Sequence, residues 1–99
     1  IPDSRLYEIF RIAYPNTYET ACIISLLKGR GIKRYFAKAT EFNRHREKPL
    51  LSGDDLMLHS SITEGVFVGY IIDVIQRMRF MNKLTDRQSA LKWIKANFT

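Results

Sequence analysis

The stretch Ile32-Lys33-Arg34-Tyr35-Phe36-Ala37-Lys38-Ala39-Thr40-Glu41-Phe42-Asn43-Arg44-His45-Arg46 decides the fold class. Ile32, Tyr35, Phe36, Ala39 and Phe42 recur at three- and four-residue spacing, which is one face of an α-helix. At about 100° per residue, Arg34, Lys38, Glu41 and His45 are expected on the opposite face. The pattern predicts a helix over 32–46 that docks through aromatics and shows cations to solvent. Phe36 and Phe42 read as core. Tyr35 falls nearer the edge of the stripe, where stacking on a base is open to it.

Toward the amino terminus, Leu6, Ile9, Phe10 and Ala13 form the buried stripe of a helix over 4–14, ended by Pro15. Asn16 is the expected cap of the next helix, with Glu19 reaching back to its amide. Ala21, Cys22, Ile23, Ile24, Leu26 and Leu27 make that helix apolar nearly all round, so it reads as the most buried element. Gly29 or Gly31 supplies its left-handed exit. Toward the carboxy terminus, Lys48-Pro49 closes the helix over 32–46. Ser52 is a good cap for a short helix to about residue 59, with Asp54 and Asp55 favoured in its first turn. Thr63 is the expected cap of a long apolar helix over 64–82, in which Gly65 and Gly69 leave room for close backbone approach. Thr85-Asp86-Arg87-Gln88 reads as a capping box for a last helix with Ala90, Leu91, Ile94 and Phe98 inward. The expected fold is all-α, a compact bundle of about six short helices. Residues 1–48 form its basic part and residues 49–99 its carboxy-terminal part, with the seam at 48–51. The start Ile1-Pro2, without Met, fits a processed protein as well as a cut segment; the expectation is one compact unit cut from a longer chain.

Hydrophobic residues are 45% of the 99, which supports a modest core, and a charged share of 26% argues against global disorder. The longest apolar runs are broken by Gly, Asp or Lys, so no membrane partner is expected. Nothing near the start has the layout of a signal peptide. Cys22 is the only cysteine, reads as a small buried hydrophobe, and fits a cytoplasmic protein. The formal charge of +6 is localised: residues 28–48 carry eight basic and two acidic side chains, and the remainder is balanced. Such a field attracts polyanions, nucleic acid first.

Catalytic chemistry finds little footing. His45 and His59 sit on different elements, and no His or Cys cluster has ligand spacing, so no metal site is expected. Asp54-Asp55 stands at a helix start, where capping explains it. Gly29-Arg30-Gly31 follows a helix and lacks the Lys-Ser/Thr ending of a phosphate loop. Ser52, Ser60, Ser61 and Ser89 have no evident base partner. The expectation is therefore a binding module, not an enzyme. Arg30, Lys33, Arg34, Lys38, Arg44, Arg46 and Lys48 are the candidate phosphate contacts.

A resemblance sharpens this reading. Pro49-Leu50-Leu51-Ser52-Gly53-Asp54-Asp55-Leu56-Met57, then Glu64-Gly65-Val66, Val68-Gly69-Tyr70-Ile71-Ile72 and Leu84-Thr85-Asp86-Arg87-Gln88-Ser89-Ala90-Leu91-Lys92-Trp93-Ile94 follow one another in order. The succession resembles the carboxy-terminal region of the class II nucleotidyltransferase family, which holds the bacterial-type CCA-adding tRNA nucleotidyltransferases and the poly(A) polymerases. It spans residues 49–95. Glu64-Gly65-Val66 stands where the family shows a Pro-Gly-Pro-like turn, and Arg87-Gln88-Ser89 where acids are usual. The resemblance implies a tRNA-processing transferase whose catalytic head, with its Mg²⁺ and ATP or CTP, lies in sequence absent here. This chain would then hold tRNA or other structured RNA and pack against the missing amino-terminal domains of its parent. Two other readings are carried from the residues: a protein-interaction module, including a homodimer, and a helix-turn-helix DNA binder with 32–46 as recognition helix.

Overall fold

The computed structural model describes residues 1–62 and 65–98. They form six helices and no strand: α1 (Asp3–Ala13), α2 (Thr17–Lys28), α3 (Ile32–Glu47), α4 (Gly53–His59), α5 (Gly65–Phe80) and α6 (Arg87–Phe98). The fold is all-α. Thr63, the expected cap of α5, and Glu64 lie outside the described residues. The chain divides into two compact units, Ile1–Glu47 and Lys48–Thr99.

In the first unit α2 packs along α3, and α1 packs against both. Leu6 and Phe10 of α1, Ala21 and Ile24 of α2, and Tyr35, Ala39 and Phe42 of α3 are buried. Phe42 is the centre of an aromatic cluster: the rings of Tyr7, Phe10 and Tyr14 lie 5.5, 5.9 and 6.2 Å from it, all tilted. Tilted pairs at these distances add to the area they bury. Thr17, fully buried, donates its hydroxyl to Asn43 Oδ1 at 2.8 Å, which removes the cost of burying it unpaired.

Two expectations for α2 fail. Asn16 makes no side-chain cap; its carbonyl instead accepts from the amide and hydroxyl of Thr20. The helix is not the most buried element either. Thr17, Ala21, Ile24 and Ser25 face inward, Cys22 is half-buried, and Ile23, Leu26 and Leu27 are exposed. A three-helix unit can cover α2 on one side only, so the second apolar line stays outside. The exit of α2 is as expected. Gly29 is left-handed at φ 72°, with its amide and that of Arg30 donating to the carbonyls of Leu26 and Ser25. Gly31 is left-handed too, at φ 89°, and a Cβ there would stand 2.9 Å from the Tyr35 ring.

The second unit closes on Leu51, Leu56, Ile62, Val68, Ile71, Ile75, Leu84, Ala90 and Ile94. Ser52 caps α4 in a full box: its hydroxyl accepts the Asp55 amide at 3.2 Å, and Asp55 Oδ2 accepts the Ser52 amide at 2.9 Å. Asp55 also receives both guanidinium nitrogens of Arg87, at 2.9 and 2.8 Å. One carboxylate thus ties the starts of α4 and α6 together. The cap of α6 is shifted by one residue from the expected Thr85 box. Asp86 accepts the Ser89 amide at 2.8 Å, and the Ser89 hydroxyl accepts the Asp86 amide at 3.2 Å. A serine hydroxyl at this position does the work expected of Gln88. Gly65 and Gly69 are exposed, and among the described residues no other element comes within 4 Å of a Cβ built at either; the close approach is at Gly53, where a Cβ would stand 3.2 Å from Val68 Cγ1.

The Arg87 hydrogen bonds hold the Asp55 carboxyl well below the usual carboxylate range, with the Ser52 amide adding to them. A group whose folded-state pKa is depressed contributes stability above its unfolded pKa and loses it as pH falls toward the folded value. Asp55→Asn should therefore be less stable than wild type at neutral pH, with the gap narrowing below about pH 5; thermal unfolding followed by circular dichroism from neutral to acidic pH measures it. A gap that does not change with pH would remove the Asp55–Arg87 pair as its source. At the α2–α3 turn, Gly29→Ala should cost about 1–2 kcal/mol for the left-handed backbone alone. Gly31→Ala should cost more, because its Cβ also meets the Tyr35 ring; urea unfolding of the two variants gives the order.

Candidate nucleic-acid interface

The buried line Tyr35, Ala39 and Phe42 fixes which way α3 faces. At about 100° per residue, the residues pointing away from it are Lys33, Ala37 and Arg44, flanked by Thr40. All four are exposed. Lys33 and Arg44 stand about 16 Å apart along the axis at 1.5 Å per residue.

Arg34, Lys38, Glu41 and His45 are not on that outer face, contrary to the sequence expectation. They lie on the flank that meets α1. Arg34 donates to the Ile1 carbonyl at 2.8 Å and to Asp3 Oδ1 at 3.2 Å. Lys38 sits 3.3 Å from Asp3 Oδ2 and 3.6 Å from Glu41, with most of its side chain covered. The guanidinium of Arg34 also lies over the Tyr35 ring, at 5.2 Å. Arg46 is exposed but rests on the Tyr14 ring, 4.4 Å from its centroid.

The seven expected contacts therefore separate. Arg34, Lys38 and Arg46 are engaged within the first unit. Arg30, Lys33 and Arg44 are exposed, without a side-chain partner among the described residues. Lys48 is exposed and belongs to the second unit, where its carbonyl accepts from Arg79 Nη1 at 2.7 Å. Lys28, in the basic stretch but outside the seven expected contacts, likewise has no side-chain partner among the described residues. With Arg30, Gly31, Arg34, Tyr35 and Ile1 it lines a cleft of about 320 Å³ at the α2–α3 turn.

The aromatics exchange places. Tyr35, read as the edge of the stripe, is 5% exposed and closed to a base. Phe36, read as core, is half-buried and stacks on Tyr18 at 5.6 Å and 27°. The Tyr18 hydroxyl pairs with that of Thr40 at 2.9 Å, which sets an exposed ring beside the Lys33–Arg44 line. No sequence signal places Tyr18 there, because it comes from α2.

Among the described residues no group of three or more His, Cys, Asp or Glu is arranged to hold a metal ion. Asp55 is consumed by its cap and by Arg87, and Asp54 is exposed. Ser60 and Ser61 donate to the Leu56 and Phe98 carbonyls, and Ser89 serves the α6 cap. No described helix is long and apolar enough to cross a membrane. Compared with protein-family models, curated proteins and solved structures, the chain matches none.

Proposed function

We propose that this chain is a non-catalytic module that grips the backbone of structured RNA, tRNA above all. The observation that carries the reading is the outer face of α3. Lys33 and Arg44 lie on it, Lys28 and Arg30 stand at its amino-terminal end, and no carboxylate of the described residues engages them. They come from the one stretch that holds the whole excess charge of the chain. Four cations without internal partners lose little when they turn to phosphates, and each contact releases counterions. Contacts of this kind position a folded RNA without reading its sequence. Tyr18, on the rim, offers a ring to an unstacked base.

The parent enzyme in this reading is a template-independent RNA nucleotidyltransferase, on the resemblance carried by residues 49–95. In this reading the Mg²⁺ and the phosphoryl transfer belong to another part of the parent. The contribution of this chain is to bind and orient the RNA body.

Binding to tRNA and to duplex DNA of similar length, across a salt series, tests the proposal. The chain should bind tRNA more tightly than DNA, with strong salt dependence. Lys33→Ala/Arg44→Ala should weaken tRNA binding and reduce the slope of log K against log salt by about 1.5, as expected for two lost phosphate contacts. Arg34→Ala/Lys38→Ala should change the slope less. No tRNA binding at low salt, a preference for DNA, or a larger loss in the second variant would each overturn it.

A further inference from the structure

The outward side of α2 is an apolar line bounded by opposite charges. Ile23, Leu26 and Leu27 are 57%, 81% and 82% exposed. Glu19 precedes Ile23 by one helical turn on the same side, and Arg30 follows Leu26 past the left-handed Gly29. Arg30 shares an apolar groove with Leu26, Cys22, Ser25, Gly29 and Ile32, so it borders this line. Both Glu19 and Arg30 are exposed, and neither has a side-chain partner among the described residues. The surface therefore reads acid, apolar, base along one helix.

A pattern of that kind is complementary to itself when reversed. In a two-fold interface residue i of one subunit meets j of the other, and j meets i. Two α2 helices laid antiparallel, with Ile23 of one on Leu26 of the other, bring Leu27 onto Cys22 and Glu19 opposite Arg30. Both ends then carry an ion pair, and the apolar line lies in the middle. Antiparallel alignment also sets the positive end of each helix dipole beside the negative end of the other. The net charge of +6 per copy opposes association, but the α2 line is itself balanced, with Glu19 at one end and Arg30 at the other. Within α2 itself Glu19 and Lys28 cancel, and Lys28 lies on the helix side that faces inward, away from the line. We infer that the outer face of α2 is the interface between two copies of this chain, packed antiparallel. Parallel packing would set like charges together at both ends.

The register can be tested by charge exchange. The oligomeric state of the full chain, without RNA, is followed by sedimentation equilibrium over a wide concentration range. Wild type should dimerise. Leu26→Glu/Leu27→Glu should be monomeric with an unchanged helical circular dichroism spectrum, since both side chains are exposed. Glu19→Arg and Arg30→Glu should each weaken the dimer by roughly tenfold, and the combined Glu19→Arg/Arg30→Glu variant should restore it. A chain monomeric at every concentration would overturn the inference, and the α2 line would then be covered by a different protein or by another part of the chain. A dimer that survives Leu26→Glu/Leu27→Glu would overturn it, because association would use another surface. Failure of the combined exchange to restore association would overturn the antiparallel register.

Discussion

The docking of α1 onto Phe42 is the constraint on which the first unit turns. Three α1-side rings, Tyr7, Phe10 and Tyr14, converge on that one side chain of α3. Once they do, the position of α1 along α3 is set, and the electrostatics follow. Asp3, at the start of α1, arrives beside Arg34 and Lys38. Tyr14, at its end, arrives beneath Arg46. Aromatic packing thus decides which cations are spent within the unit and which remain for a partner. The basic stretch is uniform in sequence but not in space: its α1 flank is partly neutralised, and its outer line keeps its charge.

The helices were legible because apolar spacing and glycine and proline punctuation report on local geometry. What surrounds each helix was not. The ion pair of Arg34 depends on Asp3, 31 residues away in the chain, and no local pattern announces it. The exposure of one side of α2 has a different origin. A run apolar on every side reads as buried only if neighbours exist on every side, and the helices of a three-helix unit are too few to supply them. The outer line of α3 was legible in its period but not in its direction. The facing direction depends on which apolar residues are truly covered. Ile32 is exposed and Phe36 half-buried, so the core line narrows to Tyr35, Ala39 and Phe42 and turns the outward direction toward Lys33 and Arg44.

In the second unit the residues that prompted the family resemblance have work of a structural kind. Ser52 and Asp55 close the α4 cap, Arg87 grips Asp55 from α6, Gly53 admits Val68, and Asp86 and Ser89 close the α6 cap. Each helix start leaves orphan amides that need acceptors. Here one carboxylate satisfies a cap and an inter-helix guanidinium together. A short sequence signature can therefore be dictated by how two helix starts are joined, with no chemistry on a substrate. The cations that would meet a phosphate lie instead on the outer face of α3.

The two proposed surfaces of the first unit meet at Arg30. It borders the apolar line of α2 and also lines the cleft with Lys28 and Arg34. One guanidinium cannot pair with Glu19 of a second copy and with a phosphate at the same time. Lys33 and Arg44 carry no such conflict, because they project from the far side of α3. A dimer would thus give up one cation per copy and gain a second outer face. When two linked faces engage one RNA, the second contact is effectively intramolecular, and the gain can exceed the loss of one phosphate contact. If the RNA spans only one face, Arg30 favours the phosphate and RNA binding opposes association. The sign of the coupling between RNA binding and dimerisation therefore depends on the length of RNA that the two α3 faces can share.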